Sequence, residues 1–195
     1  MDIPEITVAD KRDAQQAVST LVMGFAGDPL VRWFFPAAEA YLNSAGGLFS
    51  AFGGVDLETT TIFSSKQFEG VALWHPPGTH VDEDAIGEKL VASVSPEIQD
   101  EVFAVFEQME RYHPEGDIWY LPLIAVDPAH QGSGLGAALM KEALKRCDED
   151  GLPAYLESSN QRNISLYQRH GFEIMGEIQV GSSPIVTPML RPAGG

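Results

Sequence analysis

The sequence predicts an α/β fold built on a mixed β-sheet, and three observations carry that prediction. Residues 118–126 form a nearly continuous apolar run; after it come a glycine-rich turn, an amphipathic stretch at 134–150 and a short apolar segment at 154–157. That order is a strand–helix–strand unit with the first strand covered on both faces. Residues 58–64 and 68–75 are two further strand-like runs around a turn at Ser65-Lys66, the spacing of a hairpin. With 195 residues, 44% of them hydrophobic, the chain has the size and apolar content of one compact domain.

Each element follows from local pattern. Residues 3–8 alternate apolar with polar and predict an edge strand. Residues 10–24 carry helical spacing at Ala14, Val18, Leu21 and Val22. The aromatic segment 27–36 breaks that pattern, and residues 37–52 resume it as a second helix closed by Gly53-Gly54. Pro76-Pro77 ends the second hairpin strand, because proline cannot donate to a ladder. Residues 82–117 predict two helices, the second starting with Ser95 as N-cap and Pro96 as first helical residue. On helix 134–150, Leu135, Leu139, Ala143 and Cys147 share one face, and Gly151 with Pro153 stops it. A short helix at 162–170 and strands at 172–180 and 185–190 complete the order.

Charge and cysteine content exclude several functions. Twelve Lys and Arg against 28 Asp and Glu give a net charge of −16, which repels phosphate backbones and argues against nucleic-acid binding. Residues 82–117 hold eleven carboxylates against Lys89 and Arg111; solvated helix faces explain them, and a surface that draws a cationic amine is the competing reading. The single cysteine, Cys147, rules out an internal disulfide and a cysteine-based zinc cage. The five histidines show no metal-ligand spacing, so no metal is expected. The N-terminus lacks the pattern of a signal peptide, and no run reaches the roughly 18 apolar residues of a membrane span. A cytoplasmic protein is the expectation.

The most informative stretch is Val126-Asp127-Pro128-Ala129-His130-Gln131-Gly132-Ser133-Gly134-Leu135-Gly136-Ala137. A buried strand ends, Asp127-Pro128 turns the chain, and three glycines open a helix whose N-terminus carries partial positive charge. The physics points to phosphate or pyrophosphate. A nucleoside-triphosphate loop would need Lys and Ser/Thr after the glycines, which are absent. Gly132-x-Gly134-x-x-Ala137 satisfies a dinucleotide fingerprint with Glu157 about 20 residues on, although few residues follow to build that fold. A ligand-free turn is the third reading.

The glycine block, with Gln131-x-x-Gly134-x-Gly136, resembles the acetyl-CoA loop of the GNAT N-acetyltransferase superfamily. A second block, Asn163-Ile164-Ser165-Leu166-Tyr167-Gln168-Arg169-His170-Gly171-Phe172, is similar to that superfamily's N-x-x-x-Y-x-x-x-G-F. Trp119-Tyr120-Leu121, Val71-Ala72-Leu73-Trp74, Pro76-Pro77 and Ala154-Tyr155-Leu156-Glu157-Ser158-Ser159 look like its puromycin N-acetyltransferase branch. The resemblance implies a GNAT-type fold, a mixed and mostly antiparallel central sheet flanked by helices on both faces. It implies one domain over residues 1–195, with 1–117 mainly on the acceptor side and 118–191 on the acetyl-CoA side.

The resemblance also implies roles. Acetyl transfer from the co-substrate acetyl-CoA to a primary amine needs a base for the ammonium ion and an acid for the departing thiolate. Tyr167 falls at the family's general-acid position, and Glu157 at a strand end where relatives use a carboxylate base; plain packing and a surface glutamate are the alternatives. Gln131, Gly132, Ser133, Gly134, Leu135 and Gly136 would hold pyrophosphate, Ile124, Ala125 and Val126 the pantetheine arm, with Asn163 and Tyr167 beside them. Trp33 and Phe34 are candidates for the acceptor wall, and His75 for the acceptor end of its strand. The expected function is transfer to a small-molecule amine by direct attack in a ternary complex. A non-catalytic acyl-CoA-binding regulatory module is the alternative, and a homodimer is an open possibility.

Overall fold

Among the described residues seven strands lie in one sheet: β1 (Ile6–Val8), β2 (Thr61–Ser65), β3 (Gly70–His75), β4 (Trp119–Val126), β5 (Ala154–Ser158), β6 (Glu173–Ile174) and β7 (Thr187–Arg191). The structure is a computed structural model that describes residues 5–194. The strand order is β1-β2-β3-β4-β5-β7-β6, antiparallel throughout except for the parallel pair β4–β5. The helices are α1 (Ala14–Gly24), α2 (Pro29–Phe34), α3 (Ala38–Phe52), α4 (Glu83–Ser93), α5 (Gln99–Tyr112), α6 (Leu135–Asp150) and α7 (Ile164–Gln168).

Two hydrophobic clusters sit on opposite faces of the sheet. One packs α1 to α5 against side chains such as Ile62, Leu73 and Leu123. The other packs α6 and α7 against Trp74, Leu121 and Leu156. The helices therefore flank both faces of a mixed, mostly antiparallel sheet.

Several local expectations are corrected. Segment 27–36 does not simply break the pattern, because Asp28 caps α2, its Oδ1 accepting from the N–H groups of Leu30 (3.0 Å) and Val31 (3.1 Å) with Pro29 at the first turn. Ser95 and Pro96 start a turn rather than a helix; the Ile98 N–H donates to Ser95 O at 3.1 Å, and α5 begins at Gln99. Run 172–180 pairs through Glu173 and Ile174, with the Met175 N–H donating to Pro188 O at 2.9 Å, and then by an isolated bridge from Ile178 to Val186. Residues 3 and 4 of the first expected strand lie outside the described residues.

The feature that positions the site is a fault in the β3–β4 ladder. Leu73 opposes Leu123 but His75 opposes Tyr120, so Leu121 and Pro122 together face Trp74. This β-bulge turns β4 away from its next neighbour. The parallel pairing of β4 with β5 then covers only Trp119 to Leu121, opposite Ala154 to Leu156. Beyond it the two strands part, and a V-shaped gap opens in the middle of the sheet.

Candidate active site

Residues 122–126 of β4 form one wall of the gap. Asp127 N donates to Glu69 O at 2.7 Å on the β3 side, whereas Val126 O accepts from Gln131 Nε2 at 3.1 Å. Antiparallel alternation turns the peptide groups of Ile124 and Val126 to the open edge and those of Leu123 and Ala125 to β3. Pro122 falls on the open side, where its missing N–H costs no ladder bond. Ala125 packs beneath Gly24 of α1, where a Cβ would come within 2.6 Å. The sheet thus presents a stretch of unpaired strand edge inside a cleft of about 810 Å³.

The glycine turn closes one end of this cleft. Asp127 Oδ1 accepts from the Ala129 N–H at 2.8 Å, fixing the turn at Pro128–His130. Gly132 (φ 74°) and Gly134 (φ 89°) are left-handed, a conformation L side chains rarely adopt. Within the protein a Cβ on Gly132 would meet nothing within 4 Å, so backbone conformation, not bulk, requires glycine there. Gly134 caps α6, and Ala138 N, bonded to Gly134 O at 3.1 Å, is the first N–H with an intrahelical acceptor. The preceding N–H groups have no intrahelical acceptor, an arrangement whose partial positive charge suits an anion. Leu135 is buried against Gly70 of β3, and Ser133 Oγ donates to His130 O at 2.6 Å. Ser133 is the one residue of segment 131–136 that does not line the cleft.

α7 supplies the far wall. Asn163 makes no side-chain cap bond and lines the cleft with Tyr167, Arg162 and Arg169. Tyr167 is buried, its ring 6.2 Å from Phe172. Burial, assisted by the Asp28 carboxylate, pushes its phenol well above the ordinary tyrosine value, so it keeps its proton at neutral pH.

Glu157 lies in β5 where the strands part, half-buried and lining the cleft. Loss of hydration raises its carboxyl to about 7. The Tyr120 and Tyr155 phenols oppose the rise by stabilising the charged form, the Tyr155 hydroxyl without closing to hydrogen-bond geometry. Behind them His113 stacks edge-on against both rings, at 5.0 Å from each. A carboxyl titrating near 7 is well matched to a general base at neutral pH.

The other half of the cleft lies under α2, α3 and α5. Phe34 lines it, but Trp33 and His75 are not brought there. The Trp33 indole N–H donates to Ser182 Oγ at 3.1 Å, pinning the loop before β7. His75 is buried with Nε2 at 3.0 Å from Gly53 O, and burial holds its pKa below the usual value. Sequence reasoning missed Asp28, whose Oδ2 accepts from Ser159 Oγ at 2.7 Å across 131 positions of chain. An Asp-Pro pair before an apolar run signals the helix cap, but nothing local signals the bond to Ser159. Among the described residues no cluster of three or more potential metal ligands occurs, and no helix is long and apolar enough to cross a membrane.

A splayed sheet edge, a glycine turn with free backbone N–H groups, the Glu157 carboxyl and the Tyr167 phenol thus share one cleft. Residues 55–172 match the Acetyltransferase (GNAT) family, and the chain belongs to it. An uncharacterised N-acetyltransferase of Schizosaccharomyces pombe is 24% identical over 182 residues, covering 84% of this chain and 72% of that protein. Mycothiol acetyltransferase of Brachybacterium faecium is 31% identical over 87 residues, 40% of this chain but 25% of that protein. A Corynebacterium glutamicum structure described as histone acetyltransferase HPA2 and related acetyltransferase superposes with a TM-score of 0.72. It is 25% identical, over 100% of this chain and 98% of that one. The protein is an N-acetyltransferase of this family, and GNAT-fold enzymes use acetyl-CoA as co-substrate.

Proposed function

We propose that this protein transfers the acetyl group of acetyl-CoA to the primary amine of a small molecule by direct attack in a ternary complex. The observation that carries the reading is Glu157, a carboxyl raised to about 7 at the mouth of the β4–β5 gap, in the same cleft as the protonated Tyr167. Bound acetyl-CoA supplies an activated thioester carbonyl. The residues present suit it: the N–H groups following Gly134 would hold the pyrophosphate, and the open edge at Ile124 and Val126 would pair with the amide-bearing arm. Arg162 and Arg169 offset the acidity of the chain at that end. Ionised Glu157 takes a proton from the ammonium ion, and the neutral amine nitrogen forms its bond to the carbonyl carbon. As the C–S bond breaks, the Tyr167 phenol protonates the departing thiolate and is restored by the second nitrogen proton. Glu157 returns its proton to solvent.

A single domain over 1–195, divided into an acceptor side at 1–117 and an acetyl-CoA side at 118–191, accommodates these roles, and we place the enzyme in the cytoplasm. The motifs shared with puromycin N-acetyltransferases support a kinship with that branch. Calorimetric titration with acetyl-CoA, beside NAD and NADP, tests the cofactor. An amine panel read by thiol release tests the transfer, with Tyr167→Phe expected to lower turnover by roughly 10²-fold or more at nearly unchanged acetyl-CoA affinity. Tight acetyl-CoA binding without transfer to any amine would instead support a regulatory acyl-CoA-binding module.

A further inference from the structure

The acceptor half of the cleft, which must receive a cation, is walled mainly by apolar side chains. Its wall is built by Phe34 of α2, Phe49 and Phe52 of α3, and Phe106 and Met109 of α5, with Val186 across from them. The rings are arranged among themselves: Phe34 and Phe106 stack at 6.1 Å with planes 21° apart, and Phe52 meets Phe106 edge-on at 6.0 Å. Phe34 is buried in this cluster, and the partly exposed Phe52 and Phe106 keep ring surface for a further aromatic group.

Charge is confined to two places. Among the described residues lining the cleft, the anions are Glu157 and Asp28, and the cations Arg162 and Arg169 come from the α7 side. Asp28 is already engaged by two backbone N–H groups and Ser159. The many carboxylates of α4 and α5 do not reach the cleft lining. Glu101, one of them, instead accepts from the N–H and Oγ of Ser182, at 2.8 and 2.7 Å. The acidic stretch therefore contributes no carboxylate to the cleft lining.

Resting on the acetyl-transfer reading above, we propose that the acceptor is a monoamine bearing an apolar, aromatic body, not a polyamine, an amino acid or a peptide N-terminus. The ammonium group meets Glu157, and the ring lies among Phe34, Phe52 and Phe106. A second ammonium group, a carboxylate or a chain of peptide groups would be stripped of water in this wall without a partner.

Acceptor binding is measured by calorimetry on the full-length protein saturated with CoA, using 2-phenylethylamine, 1,4-diaminobutane, phenylalanine and a tetrapeptide. Transfer with acetyl-CoA is measured on the same compounds. 2-Phenylethylamine is expected to bind at least 30-fold more tightly than the others and to exceed them at least 100-fold in kcat/KM. Equal or tighter binding of the diamine, phenylalanine or the peptide overturns the proposal, and so does failure of all four to bind. Binding of 2-phenylethylamine without its acetylation upholds the acceptor class and instead sinks the transfer reading. Phe106→Leu should lower the ratio of kcat/KM for 2-phenylethylamine to that for n-butylamine at least tenfold. A general loss of structure would depress both alike, and an unchanged ratio removes the ring contact.

Discussion

Glu157→Gln separates the chemistry from the scaffold, because one titration must appear in two independent measurements. Burial lifts this carboxyl from 4.5 to about 7, equivalent to about 3 kcal/mol against the charged form. With Glu157 as the proposed base its ionised form is the working one, so kcat/KM should rise about tenfold per pH unit up to about pH 7 and then level. The glutamine variant should lose about 10²- to 10⁴-fold in rate and the break near 7 with it. In stability the sign is opposite. The folded carboxyl holds its proton to higher pH than the unfolded one, so its contribution is fully present below 4.5 and is lost as pH rises through about 7. Glutamine does not titrate. Wild type should therefore lose about 3 kcal/mol relative to the variant between pH 4.5 and 8, a Tm difference of about 6–12 °C for a chain of this size.

Both quantities are accessible between pH 4.5 and 9, by calorimetric melting and by thiol release. Cys147 does not interfere with a thiol reagent, since it is buried and its thiol is pushed up to about 12. His75 and His113, both held low by burial, lose stability in the other direction as pH falls through 6.5, but they are common to the two proteins and cancel in the difference. A wild-type rate flat from pH 5.5 to 8, or a break that survives in Glu157→Gln, would refute the assignment of Glu157 as base. So would melting curves that stay parallel across the pH range.

Gly134→Ala forces an L side chain into a φ of 89°, at about 1–2 kcal/mol, and tilts the N–H groups that follow. Calorimetry should show acetyl-CoA affinity reduced at least tenfold, and unchanged affinity would show that this turn is not the anion cradle. Asp28→Ala removes the α2 cap and the partner of Ser159, so Tm should fall by about 4–8 °C and the amine KM should rise. Asp28→Asn, which keeps a cap oxygen, should recover roughly half of the lost stability, and full recovery would leave the carboxylate–serine bond without a role.

The sequence by itself determined what depends on neighbours in the chain. Although the left-handed angles of Gly132 and Gly134 came from the structure, the apolar run ending at Val126, the glycine turn after it and helix α6 are dictated by hydrophobic period and residue type, both local properties. The same holds for the pairing of Asn163 and Tyr167 across one helical turn. Local pattern failed where distant segments chose the outcome. Trp33 and Phe34 are adjacent and equally aromatic, yet Phe34 lines the cleft while Trp33 turns outward to Ser182. His75 ends the expected strand, but alternation along β3 puts it on the face of Leu73, where it meets Gly53 O at the end of α3 instead of the cleft. Tertiary structure also decided that Glu157 titrates near neutrality, since a carboxyl's hydration is set by what folds over it. Asp28 and Ser159, 131 positions apart, meet only because the sheet brings the start of α2 to the end of β5, a contact that no spacing rule encodes.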